Sequence, residues 1–226
     1  MTEEREKAAR PRRRLGAPQL AAIVVPALCV AGALLLRSTE PSATPLPPPP
    51  SAPTATLRPV AAFSNIADRR QRSVALFREA GRVFQHPRCL NCHPRSDRPT
   101  QTGVMRPHLP LVTRGPDGGG TEVLRCITCH QAANVAASGV PGNVRWRLAP
   151  PEMAWQGKSL SAICRQLLDP SRAHLRRDAL LEHVAQDELV GWAWHPGAQR
   201  RPAPGTQAQF GALVAAWLET GAHCPA

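Results

Sequence analysis

Apolar and polar positions follow several distinct rhythms along this chain. Residues 15–36, from Leu15 to Leu36, carry no charge and are mostly Ala, Val, Leu and Ile. Such a run is long enough to span a bilayer core as a helix, and Pro18 and Pro26 are compatible with a membrane helix. Residues 38–59 hold eight Pro among Ser, Thr and Ala, which builds an extended spacer rather than a core. From Asn65 to Gln85 helical spacing returns, with Ile66, Val74, Phe77, Val83 and Phe84 on roughly one side and Asn65 as cap. Ser159–Leu168 predicts a short helix stopped before Pro170. The next runs from about Ala173 to Gln186, with Leu180, His183 and Val184 on one face. Thr206–Thr220 predicts the last helix, capped by Thr206, with Phe210, Leu213, Val214 and Trp217 inward and Gly221 as stop. Residues 94–121 are rich in Pro and Gly, 131–158 are similarly irregular, and no run has strand period. The expected fold is mostly α with long irregular loops.

The basic residues Arg5, Lys7, Arg10, Arg12, Arg13 and Arg14 precede the apolar run. That order keeps the N-terminus cytoplasmic and exports the rest. The expected organisation is a cytoplasmic basic tail at 1–14, a transmembrane anchor at 15–37, a Pro-rich linker at 38–62 and a folded domain at 63–226 in the periplasm. A cleaved signal peptide is the alternative. The run ends Leu34-Leu35-Leu36-Arg37 with no small-x-small site, which favours an uncleaved anchor. Cys29 follows Leu28, where a lipid-attachment site needs a small residue, and reads as apolar filler.

Composition adds a constraint on the core. Only 4% of the 226 residues are aromatic, none is Tyr, and 25 are Pro, so a volume-filling group would help the fold. The formal charge is +12, but from residue 38 onward 21 basic face 13 acidic residues. Those Arg are scattered singly or in pairs without aromatic interleaving, which is not the footprint of a nucleic-acid face.

Two pentapeptides carry the chemistry: Cys89-Leu90-Asn91-Cys92-His93 and Cys126-Ile127-Thr128-Cys129-His130. Cys-x-x-Cys-His is the attachment signature of c-type haem. Two thiols on one turn can each form a thioether to the same porphyrin, and the next residue, His, is held under the iron as proximal ligand. Two haem c groups are therefore expected, on Cys89 and Cys92 with His93, and on Cys126 and Cys129 with His130. A zinc site leaves the extra His unexplained at both places and needs shorter spacing than 93–125 provides. A thioredoxin-like redox pair needs a βαβ context that is missing.

The sixth iron positions have several candidates. His108, between Pro107 and Leu109-Pro110, sits in a rigid loop that could aim at the first haem. His183, on the inward face of its helix, is assigned mainly to the second. Met153 is the candidate that would raise a potential, and His86 lies three residues before Cys89. A vacant position is a further possibility. Arg95, Arg98 and Arg125 lie near the motifs and could pair with haem propionates. Cys164 and Cys224 remain outside the motifs and the anchor, an even pair in an oxidising compartment, and are expected to form a disulfide; two separate thiols are the alternative.

Many short motifs then occur in order: Cys92-His93-Pro94, Pro107-His108, Arg114-Gly115, Arg125-Cys126, Cys129-His130-Gln131, Gly139-Val140-Pro141-Gly142, Leu148-Ala149-Pro150, Met153-Ala154-Trp155, Asp169-Pro170, Trp192, Trp194, Pro196-Gly197 and Pro204-Gly205-Thr206. Across about residues 75–225 the chain resembles a family of small bacterial dihaem c-type cytochrome-like proteins often labelled isoquinoline 1-oxidoreductase subunit. The resemblance implies a dihaem domain with His93 and His130 as proximal ligands and His108, Met153 and His183 as candidate distal ones. The chain has no cysteine set for iron–sulfur clusters and no room for a molybdopterin domain, so the implied role is an accessory cytochrome that takes electrons from a molybdenum hydroxylase. The expected function is a membrane-anchored electron carrier between a periplasmic dehydrogenase and the respiratory chain, an electron-transfer protein or oxidoreductase subunit. The alternatives are a haem enzyme with one open iron site, peroxidase-like or nitrogen-oxide converting, and a zinc-binding interaction module.

Overall fold

Asp68 starts the first long helix by accepting a hydrogen bond from the Gln71 amide at 2.6 Å, and α1 runs Arg69–Phe84. The structure, a computed structural model, describes residues 55–226 apart from His174 and Ala198. The expected basic tail, membrane anchor and most of the linker lie outside the described residues. Among the described residues, no helix is long and apolar enough to cross a membrane.

α1 begins four residues later than its pattern suggests, because Val60–Phe63 forms a separate 3-10 turn and Asp68, not Asn65, supplies the capping oxygen. Phe77, Val83 and Phe84 are buried as expected, joined by Leu76 and Ala80, whereas Val74 is half-buried. The globule also reaches back into the segment expected as linker. Leu57 is only 4% exposed, and the Ala55 carbonyl accepts from the Gly205 amide at 2.8 Å.

Immediately after α1, Pro87–Leu90 forms α2, with Pro at its first position and His86 as cap. The long segment that follows is loop with two antiparallel ribbons: β1 (Thr100–Gln101) against β2 (Arg106–Pro107), and β3 (Gly120–Thr121) against β4 (Leu124–Arg125). These strands of two residues are too short for period-2 patterning to register. Arg114, almost fully buried, binds Asp97 (3.1 Å) and the carbonyls of Ser96 (3.2 Å) and Ala149, which pins this loop to residue 149.

The remaining helices are α3 (Leu160–Leu168), α4 (Pro170–Ala173), α5 (Arg177–Gln186), α6 (Glu188–Gly191) and α7 (Gln207–Glu219). The helix expected from Ala173 thus begins at Arg177, after a separate turn started by Pro170. α7 opens with a reciprocal capping box between Thr206 and Gln209, and the chain turns away at Gly221, whose φ is +108°. Phe210, Leu213, Val214 and Trp217 point inward as predicted. α7 crosses α1, with Trp217 4.6 Å from Phe77 and Phe210 4.9 Å from Phe84, ring centre to ring centre. α5 packs on α7 where a side chain at Gly211 would collide with Ala185. The expected bond between Cys164 and Cys224 is present and ties α3 to the segment after α7 across 60 residues. In the chain-entropy picture a loop of that length contributes about 4 kcal/mol. The fold is mainly helical with few short strands.

Candidate functional site

Both Cys-x-x-Cys-His segments fold into the same single turn. In the first, the His93 amide donates to the Cys89 carbonyl at 3.0 Å; in the second, the His130 amide donates to Cys126 at 2.9 Å. The turn places two thiols and the following imidazole together, as the spacing requires. Each imidazole is then fixed in the same manner. His93 Nδ1 bonds the Met153 carbonyl at 2.7 Å, and His130 Nδ1 bonds the Pro141 carbonyl at 2.7 Å. A carbonyl only accepts, so each ring carries its proton on Nδ1 and keeps a lone pair on Nε2. That is the arrangement by which a second partner orients a metal-binding imidazole. Each ring also stacks flat on a tryptophan: His93 on Trp155 at 3.5 Å and 3°, His130 on Trp146 at 4.5 Å and 8°.

The first turn opens on a cavity of about 470 Å³ lined by Cys89, Cys92, His93, Met153, Trp155 and His183, among others. That volume is within the usual range for a small-molecule or cofactor site. Burial pushes the Cys89 thiol up to about 12 and the Cys92 thiol up to about 11. Burial also pulls His93 down to about 3, against the opposing pull of the Met153 carbonyl. Around the second turn the same causes act in the same directions: burial raises Cys126 and lowers His130. Near neutral pH Cys89, Cys92 and Cys126 are protonated and both imidazoles neutral, so Nε2 is available to a metal.

The two sites adjoin. Cys126 is near enough to raise the Cys92 thiol electrostatically, after burial as the main cause. The Ala149 amide donates to the Cys92 carbonyl at 3.0 Å, while its neighbour Leu148 donates to Gly118, beside the second turn, at 2.8 Å. Trp146 serves both sites, stacking on His130 and lining the cavity of the first.

The structure places the candidate sixth ligands His108 and His183 near the other motif from the one each was assigned to in sequence. His108, expected at the first site, has its ring centre 6.0 Å from that of His130 at the second. Its Nδ1 bonds the Pro110 carbonyl at 3.0 Å, leaving Nε2 without that tie. His183, expected mainly at the second site, lines the cavity of the first and influences the titration of His93. The cause is topological. α5 packs on α7, which crosses the helix leading into the first motif, while Arg98 holds the His108 carbonyl at 2.7 Å and turns its loop toward the second. Met153 lines the first cavity, but its carbonyl holds His93 Nδ1, so its backbone lies beyond the ring edge opposite Nε2. His86 accepts from the Arg88 amide at 3.3 Å as a helix cap.

The arginines named from sequence have partners or exposure of their own. Arg125 pairs with Asp117 at 2.6 Å, Arg98 binds a carbonyl, and Arg95 is exposed. Sequence reasoning passes over Arg88, which is buried beside Cys89 and lines the first cavity. Its adjacency to a motif cysteine is the one signal the chain offers. The tryptophan platforms carry none, because stacking partners lie 62 residues apart in the first site, His93 to Trp155, and 16 in the second, His130 to Trp146. Among the described residues, no three His, Cys, Asp or Glu side chains gather where they could hold a bare metal ion. No family model, curated protein or solved structure matches this chain.

Proposed function

We propose that this chain is a dihaem c-type cytochrome, anchored by residues 15–37 in the cytoplasmic membrane with its folded domain in the periplasm. It carries electrons between a periplasmic dehydrogenase, by resemblance a molybdenum hydroxylase, and the respiratory chain. One observation carries the haem reading: each Cys-x-x-Cys-His turn presents an imidazole whose Nδ1 is consumed by a backbone carbonyl and whose Nε2 is free for iron. The residues also fit the group. The first turn faces an apolar cavity of suitable volume, and two buried donors in its wall, Arg88 Nε and Trp155 Nε1, lack partners.

Bound haem supplies an iron centre that takes up and returns one electron. The four thiols Cys89, Cys92, Cys126 and Cys129 would tether the groups, and His93 and His130 would each offer Nε2 to an iron. His183 and His108 are the proposed sixth ligands of the first and second sites. The ring centres of His108 and His130 lie 6.0 Å apart, close enough for both imidazoles to offer a nitrogen to one metal. Trp146, shared by both walls, brings the sites into contact for exchange of electrons.

The test is expression of the full chain with a c-type maturation system. Intact mass and the pyridine haemochrome should give two covalent haems per chain, and the reduced spectrum should be insensitive to CO. Colourless protein at the unmodified mass would refute the proposal, and CO binding at one haem would favour an enzyme with an open site.

A further inference from the structure

We propose that Arg88 and Trp155 form a carboxylate clamp in the first cavity, holding a propionate arm of the porphyrin; this rests on the haem reading above. Arg88 is 5% exposed and lines the cavity. Among the described residues it forms no ion pair, and its Nε has no hydrogen-bond partner. Trp155 is 6% exposed and lines the same cavity, and its Nε1–H has no acceptor. Buried donors are almost always satisfied, and a buried cation without a counter-charge is among the costliest groups in a fold.

The surroundings do not supply what is missing. Among the described residues, Asp187 is the one carboxylate lining the cavity, and it is engaged elsewhere. It caps α6 through the Leu189 amide at 2.7 Å and lies 3.5 Å from both Arg145 and His183. Burial lowers the Arg88 guanidinium, and nearby Arg200 lowers it further, against the opposing pull of Cys92 and Cys89. The guanidinium carbon is 5.9 Å from the centre of the Trp192 ring, a contact too weak to replace an anion. A carboxylate meets both needs, since its oxygens accept from a guanidinium and from an indole N–H together. Both donors line the cavity onto which Cys89, Cys92 and His93 open, so a porphyrin held there would bring its acidic arms into the same space.

The experiment uses the matured full chain and the variants R88Q, R88K and W155F. W155F keeps the ring stacked on His93 and removes only the N–H. Mass spectrometry first counts covalent haems. If the unmodified chain carries none, the haem reading falls, and with it the premise of this one. With two haems present, R88Q should lower the reduction potential of one haem, because a nearby positive charge favours the reduced form, and leave the other unchanged. R88Q and W155F should each shift the propionate bending band in the resonance Raman spectrum, and R88K should restore most of the potential. Two haems with an unmoved Raman band in both R88Q and W155F would overturn the clamp. Should R88Q fail to fold, W155F and R88K still decide.

Discussion

The same pentapeptide stands in two unlike settings. The first copy follows α1 directly, rides on α2 and faces a cavity walled by α5, the Trp192 turn and the core rings of α1 and α7. The second rides on a 3-10 turn, Cys126–Thr128, between loops. Its Cys129 is exposed, and the apolar side chains nearest in sequence to its parts, Val123, Ile127 and Leu109, stand out in solvent, Val123 at 94%. The local geometry is nevertheless alike: one turn, one Nδ1–carbonyl bond, one tryptophan platform. The pentapeptide therefore dictates its own turn, whereas the environment of each site comes from the segments delivered to it. The first site is part of the core, and the second is a loop-built neighbour reached through Trp146.

The strongest way to break this comparison is to remove the tethers one pair at a time. C89S/C92S and C126S/C129S should each lower the haem count from two to one by mass. The first pair should lower the melting temperature much more, because it empties the cavity at the heart of the fold. Equal losses would show that the second site is as much a part of the core as the first. Next comes C164A/C224A, expected to cost about 4 kcal/mol by denaturant titration. Leu167 on α3 lines the first cavity, so this change should disturb the spectrum of the first haem and spare the second.

Ligand variants sharpen the assignment. In the chain retaining only the first haem, H183A should convert a low-spin spectrum toward high spin and H108A should leave it unchanged. In the chain retaining only the second haem the effects should exchange. The same result in both backgrounds would overturn the pairing.

The smallest effects are in the pH dependence. Burial, with help from Arg88 and Arg201, pulls His86 from its usual 6.5 to about 4. A depressed histidine binds its proton more readily unfolded, so its contribution is complete above about pH 6.5 and is lost as pH falls toward 4. H86N keeps a capping oxygen and should flatten stability over that window. At the second site, Arg125 holds the Asp117 carboxyl down at about 2 from its usual 3.8. That contribution is present above about pH 3.8 and is lost as pH falls through about 2, so D117N should alter only the strongly acid limb. Asp117 is exposed, so salt should weaken its effect, whereas the His86 shift comes mainly from burial and should respond less to salt. Urea midpoints measured from pH 2 to 8 check both.

Much of the helical skeleton was legible because its signals are local. Thr206 with Gln209 marked the start of α7, Phe210 to Trp217 marked its inner face, and Ser159 and Pro170 bracketed α3. Other boundaries escaped. Asn65 and Asp68 are equally good caps on paper, and the 3-10 turn ending at Phe63 decided between them. Leu57 looked like stalk because its neighbours are Thr, Arg and Pro, yet α1 and Gly205 give it a place to bury. The motif residues could be named from sequence, but their partners could not. Met153 and Pro141 act through backbone carbonyls, and every residue has one.

By itself the sequence determined the two Cys-x-x-Cys-His turns, the cysteine pair left for a disulfide and the apolar faces of the main helices. All of these depend on neighbours within a turn or two of chain, or on counting. Tertiary structure alone decided that His183 stands with His93 and His108 with His130, that Arg88 is buried with no counter-ion among the described residues, and that Trp146 joins the sites. Those outcomes depend on how α5, α7 and two long loops pack across 16 to 90 residues of separation, where the energy of contact resides in three-dimensional fit and leaves no period in the chain.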